Sequence, residues 1–253
     1  MDAPLDTRTI DAGGGRIHVV VMHRPDAKNA MDSSMLTTLV DALADADGDD
    51  DLRGLLLTGA DGAFSAGADV REPMDDGGRR RMELFTTFYE QLSNFRAPTA
   101  AAVEGPAIGG GAEAAAACDV RFAGRSAVFR FPGAIYGIPV GAARTVGLVG
   151  LGIAKDWVLS SRDIPAVEAR AAGFVQRIVD DGQAVETARG WLEEVASRDP
   201  DAVQLLKRFL NDFEGVRDRV AYENDALRAQ QEAGGLPPSL DHDLPRTVRP
   251  RRQ

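Results

Sequence analysis

The chain has 253 residues, a net charge of −10 and a single cysteine, Cys118. That length suits one large domain or a domain with an appendage. The acidic balance argues against a nucleic-acid partner, because phosphate binding depends on basic patches, and one cysteine permits no internal disulfide. No apolar run reaches membrane-span length, and the opening MDAPLDTRTIDAGGG lacks the apolar stretch of a secretory leader. The expectation is a cytoplasmic protein with no membrane partner. Its charge is unusual in kind: three lysines stand against 26 arginines, and the acids are mostly aspartate, as in ADADGDDD (44–51). Such a surface suits high salt, where self-repulsion is screened; a GC-rich genome yields the same composition.

RTIDAGGGRIHVVVMHR (8–24) reads as two strands about a Gly-rich turn, the second apolar through Ile17–Met22. A polar loop, RPDAKNAMD, follows. Asp32 or Ser33 then caps a helix whose apolar positions Met35, Leu36, Leu39, Val40 and Leu43 recur at helical spacing. LRGLLLTG (52–59) is a short buried strand and ADGAFSAGAD a loop. Residues 79–95 form an amphipathic helix with Met82, Phe85, Phe88, Tyr89 and Leu92 inward, stopped by Pro98. PTAAAVEG is a strand of small residues; DVRFAG and SAVFRF are two more strands. After Gly133 the pattern is helical over roughly 151–161, 165–172, 184–198, 201–213 and 216–234, with a strand at 174–179 and Pro165 at a helix start. Strands alternating with helices indicate an α/β core with parallel pairing.

Between strand and helix lies GPAIGGGAEAAAACD (105–119). Glycine lets another group approach the backbone with no Cβ in the way. The first N–H groups of a helix have no internal partner and carry the positive end of its dipole. Gly109–Gly111 therefore form a place for an anionic oxygen, and Glu113, three residues past Gly110, projects beside it. An oxyanion site with an adjacent carboxylate is machinery for moving a proton next to a carbonyl. Glu113 is equally an ordinary N3 glutamate stabilised by the helix dipole. Gly109, Gly111 and Ala114 also satisfy a dinucleotide fingerprint, but no acid ends a strand some twenty residues later; position 133 is glycine.

DGAFSAGADVRE (61–72), RPDAKNAMD (24–32) and EGPAIGGGAEAAAACDVRFAG (104–124) together resemble the enoyl-CoA hydratase/isomerase family, the crotonase superfamily. The likeness covers about 8–212 in order and spacing; the family's usual closing pattern around a Phe and a Lys-Arg is missing. It implies an α/β fold of the crotonase (ClpP-like) type: a spiral of ββα units with a C-terminal helical region that makes homotrimers or dimers of trimers. The corresponding division is a core over 1–190 that binds acyl-CoA, helices over 191–236 and a flexible tail over 237–253. The resemblance further implies a coenzyme A thioester as substrate, with no separate cofactor and no metal. By position the thioester oxygen would be held by the amides of Ala68 and Gly110, and Glu113 would carry the proton. Ala66, Gly67, Asp69, Val70 and Gly109 would line the acyl path, with Ala27 and Lys28 at the adenosine–phosphate end.

Family hydratases place a second glutamate twenty residues after the first, in F-x-x-P-E. Here that stretch is Phe129-Arg130-Phe131-Pro132-Gly133: the frame is kept and the carboxylate is gone. Hydration by two glutamates is therefore in doubt, since loss of a general acid or base costs about 10²–10⁴-fold. Isomerisation needs one base, a part open to Glu113 although family isomerases often use the second position; decarboxylation of a malonyl-type thioester needs mainly the oxyanion hole; and thioester hydrolysis is a further option that the resemblance implies. Pro132, Gly133 and Tyr136 fall at this part of the substrate site, and Arg130 or Arg144 would be able to hold a substrate carboxylate or else pair with acids. Two other classes fit parts of the sequence: a serine hydrolase using Ser65, one residue short of G-x-S-x-G, and a non-catalytic acyl-CoA-binding homologue. No histidine or cysteine cluster has metal-ligand spacing.

Overall fold

The computed structural model describes residues 3–73 and 76–234. Strands β1 (Leu5–Ala12) and β2 (Gly15–Met22) form an antiparallel hairpin. Helix α1 (Ser33–Asp47) starts where the Asp32 carboxylate accepts the Met35 amide at 2.8 Å. Strand β3 (Leu52–Gly59) lies parallel to β2, and α2 (Arg79–Ser93) follows. Next come β4 (Thr99–Val103), β5 (Pro106–Ile108), α3 (Gly110–Ala117), β6 (Val120–Gly124), β7 (Val128–Arg130) and α4 (Ala142–Val149). The chain continues through α5 (Leu151–Ser160), β8 (Ile164–Pro165), α6 (Ala166–Ala171), β9 (Arg177–Val179), α7 (Ala184–Ala196), α8 (Pro200–Glu214) and α9 (Val216–Glu232). Strand–strand–helix units thus recur along the first half.

The main sheet runs β1-β2-β3-β4-β6-β9 and is parallel apart from β1; β5, β7 and β8 form a smaller one. Period-two alternation sorts the apolar side chains onto two covered faces. Leu55, Leu57, Ala101 and Val103 face α1, α2 and α3, while Leu56, Ala100, Ala102 and Phe122 face α7. The α7 face consists of Ala184, Ala188, Leu192 and Ala196, so small residues meet small residues and the helix sits close to the strands. All five expected inward residues of α2 are buried. Helix α3 is buried along nearly its whole length, and its last carbonyls are met by the Arg121 guanidinium, which donates to Ala115, Cys118 and Asp119.

Several expectations shift. Helix α4 is not legible in GAARTVGLVG, because glycines at 141, 147 and 150 interrupt the pattern. Its N-terminus is completed from 80 residues away, where Glu223 on α9 accepts the Ala143 amide as well as that of Ala142. The strand expected over 174–179 shortens to β9, since Phe174 and Val175 pack into the core instead. Pro165 caps α6 rather than opening it. The expected boundary at 190/191 falls inside α7, a helix built onto the sheet, and the expected tail, 237–253, lies outside the described residues. Among those residues no helix is long and apolar enough to cross a membrane, and no group of acids, histidines or cysteines is arranged to hold a metal ion.

Candidate active site

Two bends are stitched together by backbone bonds. The Ser65 amide donates to the Pro106 carbonyl at 3.0 Å, and the Ile108 amide donates to the Ser65 carbonyl at 2.9 Å. On the other side the Met31 amide donates to the Gly67 carbonyl at 2.7 Å, and the Asp69 amide to the Met31 carbonyl at 2.9 Å. In such a parallel bridge the flanking residues make the bonds, so the Ala68 N–H points away from Met31. Gly67 has φ +87°, and a Cβ there would lie 2.5 Å from the Ile108 carbonyl oxygen and 3.1 Å from the Gly110 nitrogen. Only glycine admits both that backbone and that approach. Gly110 is the first residue of α3, so its amide has no acceptor within the helix. Gly111 is needed for space: a Cβ there would stand 2.4 Å from the Ser65 carbonyl oxygen.

A cavity of about 160 Å³ opens beside these bends. Of the residues expected at the site, Ala66, Ala68, Val70, Gly109, Gly110, Glu113, Pro132, Gly133 and Tyr136 line it. Phe85 and Tyr89, core positions by the spacing of α2, also line this cavity, as does Leu227 of α9. Nothing in the local sequence signals Leu227, because it arrives through tertiary packing more than a hundred residues from Glu113.

Four expected residues do not line the cavity. Gly67 is a spacer between the bends, as above. The Asp69 carboxylate is turned to Arg24 and Arg71, with contacts of 3.0 Å to each, which holds its pKa down at about 2 against the opposing effect of its burial. It fastens the loop and does not face the cavity. Ala27 and Lys28 lie in a short 3₁₀ turn beyond it; Lys28 is exposed, and its carbonyl accepts the Ala66 amide at 2.9 Å.

Glu113 is the carboxylate on the cavity wall among the described residues. Its side chain is only 2% exposed, and its Oε2 accepts from Arg144 Nε at 2.7 Å. Burial pushes its pKa up to about 7; the Arg144 cation opposes that rise and the Glu223 carboxylate adds to it. Tyr89, buried nearby, has its phenol pushed well above the ordinary value, chiefly by burial and by the Glu113 charge, and so remains a neutral hydroxyl. Gly133, where family hydratases carry the second carboxylate, starts a 3₁₀ turn. A Cβ there would lie 2.6 Å from the Ile138 carbonyl oxygen and 3.0 Å from Val140 Cγ1. The space for that side chain is closed as well as the side chain being absent.

The serine-hydrolase reading fails on geometry. Ser65 is fully buried, donates its hydroxyl to the Asn29 carbonyl at 2.7 Å and accepts the Gly67 amide. It has no histidine among its partners. Neither Arg130 nor Arg144 lines the cavity: Arg130 donates to the Ser161 carbonyl, and Arg144 donates to two glutamates.

A family model for enoyl-CoA hydratase/isomerase matches residues 13–230. The chain belongs to the enoyl-CoA hydratase/isomerase family. It is 34% identical over 204 residues to a short-chain-enoyl-CoA hydratase of Clostridium acetobutylicum, covering 78% of each chain. To enoyl-CoA hydratase EchA19 of Mycobacterium tuberculosis it is 34% identical over 224 residues, covering 83% of each. The structure of DspI from Pseudomonas aeruginosa superposes with a TM-score of 0.77 at 30% identity, covering 92% of this chain and 87% of that one. An enoyl-CoA hydratase/isomerase structure from Mycobacterium paratuberculosis superposes at 0.84, covering 95% and 96%; at 23% identity this speaks for the fold alone. The crotonase fold expected from the motifs is the fold observed.

A carboxyl whose pKa rises from an ordinary 4.5 to about 7 on folding keeps a proton that the unfolded chain has lost. This group therefore lowers stability as pH climbs from about 4.5 to about 7, by about 3 kcal/mol. Urea unfolding of the wild type and Glu113→Gln across that window is expected to show the decline in the wild type and its loss in the variant. Parallel curves would contradict the assignment.

Proposed function

We propose that this chain acts on acyl-CoA thioesters, with coenzyme A as part of the substrate and no separate cofactor. The thioester oxygen is held by the Ala68 and Gly110 amides, and Glu113 alone moves the proton. The observation that carries this reading is one buried carboxylate, Glu113, on the wall of an apolar cavity that Ala68 and Gly110 also line. Each amide donor to a developing enolate oxygen is worth about 3 kcal/mol. Lys28, exposed beyond the cavity and tied to it through Ala66, suits a phosphate of the coenzyme.

Double-bond isomerisation asks the least of one carboxylate, which takes a proton at one carbon and returns it at another with no water to activate. As carboxylate, Glu113 removes a proton from C2 of a 3-enoyl thioester. The freed electron pair forms the enolate, whose oxygen rests on the two amides. The carboxyl then returns the proton at C4, and the 2-enoyl thioester results. A pKa near the working pH suits a group that both takes and gives. Hydration is the second reading, favoured by the hydratase names of the relatives. There Glu113 would take a proton from water as oxygen adds to C3 and then deliver it to C2. A malonyl-type substrate fits less well: its carboxylate would approach Glu113, and Arg81 on the cavity wall already donates to the Asp69 carbonyl and Glu72.

Crotonyl-CoA, a 3-enoyl-CoA and methylmalonyl-CoA offered in parallel separate these readings. Turnover of the 3-enoyl-CoA is expected to be fastest, methylmalonyl-CoA to release no CO₂, and Glu113→Gln to lose at least about 10²-fold on the best substrate. Gly133→Glu is expected to bring no gain in hydration, because its Cβ meets Ile138. Faster hydration of crotonyl-CoA would favour the second reading, an undiminished Glu113→Gln would defeat both, and binding without any turnover would point to a non-catalytic homologue.

We also propose that the chain self-associates as a trimer or a dimer of trimers. Leu151 and Leu159 on α5, Leu210 and Phe213 on α8 and Tyr222 on α9 are all more than half exposed, an apolar area that supports burial against other copies. Light scattering is expected to return three or six times the 26.9 kDa chain mass; a monomer would contradict this.

A further inference from the structure

Four elements converge behind the cavity, and their charged groups are out of water. Arg144 on α4 donates through Nε to Glu113 Oε2 at 2.7 Å and through Nη2 to Glu223 Oε1 at 2.7 Å. The side chains of Arg144, Glu113 and Glu223 are 1%, 2% and 6% exposed. The guanidinium carbon lies 4.7 Å from the centre of the Tyr89 ring on α2. Glu223 uses both oxygens, since its Oε2 accepts the Ala142 and Ala143 amides at 2.8 and 2.9 Å. The guanidinium is therefore held by two glutamates and the Tyr89 ring, with Nη1 alone lacking a hydrogen-bond partner among the described residues, while Glu113 gives it one oxygen. The other, Oε1, receives no hydrogen bond among the described residues. It lies next to Gly141, where a Cβ would come within 2.9 Å of it.

We propose that Arg144 and Glu223 are positioning residues for the proton carrier: Arg144 locks Oε2 of Glu113, so that Oε1 is the atom that exchanges the proton, and Glu223 keeps the guanidinium in register. This rests on the one-glutamate reading given above. A packed apolar trio would join the same helices without the desolvation cost of three buried charges; the ionic trio also fixes the orientation and charge of the group that faces the cavity. The assignment falls to residues 31 and 110 positions from Glu113, on helices that the acyl-binding motifs do not include. With position 133 occupied by glycine, the carboxylate that remains is held by a cation from behind instead of being paired with a second acid across the substrate.

The groups facing Glu113 are Tyr89 from α2, Arg144 from α4 and Glu223 from α9, and they make the inference testable by the sign of a shift. The midpoint for protonation of the Glu113 carboxyl is read by isotope-edited infrared titration, with Glu113→Gln as the blank. Arg144→Met is expected to raise the midpoint by about one unit or more, Glu223→Gln to lower it, and Arg144→Lys to return it part of the way. In the same variants kcat is expected to fall with KM little changed. Should Arg144→Met fail to fold, the near-isosteric Glu223→Gln decides: a midpoint that is unmoved or raised overturns the inference. An impaired Glu113→Gln with unmoved midpoints in the other variants overturns this inference alone, whereas an undiminished Glu113→Gln overturns the one-glutamate reading with it.

Discussion

A carboxyl taken out of water must be given a proton or a partner, and Glu113 has a share of each. Burial in an apolar cavity pushes it toward the acid, and the Arg144 guanidinium 2.7 Å away pulls it toward the anion. The balance near neutrality requires α3, α4 and α9 to be held in fixed relation, because small changes in depth or separation shift a buried charge strongly. Much of the surrounding architecture serves that relation. Arg121 closes the C-terminal end of α3, Glu223 opens α4, and Leu227, one turn past Glu223, reaches the cavity from α9.

The small residues do the complementary work of closeness. Gly111 and the alanines of α3 let that helix lie against the Ser65 bend and the sheet, and Gly67 lets the two bends touch back to back. Any side chain at Gly67 or Gly111 would push the Ala68 and Gly110 amides apart. The density of glycine and alanine in 105–117 thus reflects backbone packed on backbone.

What was legible in the sequence was local. The alternation in β3, the helical spacing of α2 and the cap at Asp32 are one-dimensional signals, and they place elements and core correctly. The paired motifs around Ser65 and Gly110 carried the family and six residues of the cavity wall, and the stretch from Phe129 to Tyr136 carried three more. What escaped depended on distant partners. Helix α4 has too many glycines to announce itself and is completed by Glu223. From sequence Arg144 reads as a ligand for substrate or as an ordinary ion-pair residue, and no spacing rule tells that its partner is Glu113, the carboxylate on the cavity wall among the described residues. Asp69 sits within a motif of the acyl path, yet its side chain turns to two arginines because a loop carboxylate beside them is stabilised there. The glycine at 133 was visible as a missing acid; that Ile138 and Val140 have closed the space was visible only in three dimensions.

The account depends on a thioester carbonyl lying between two amides with Glu113 beside its reacting carbons. A crystal structure with a non-hydrolysable acyl-CoA analogue measures this directly. The carbonyl oxygen is expected about 3 Å from both the Ala68 and the Gly110 nitrogens, the usual length for such a hydrogen bond, with Glu113 Oε1 facing the α-carbon. A carbonyl bound elsewhere, or within reach of only one of the two amides, would contradict the account.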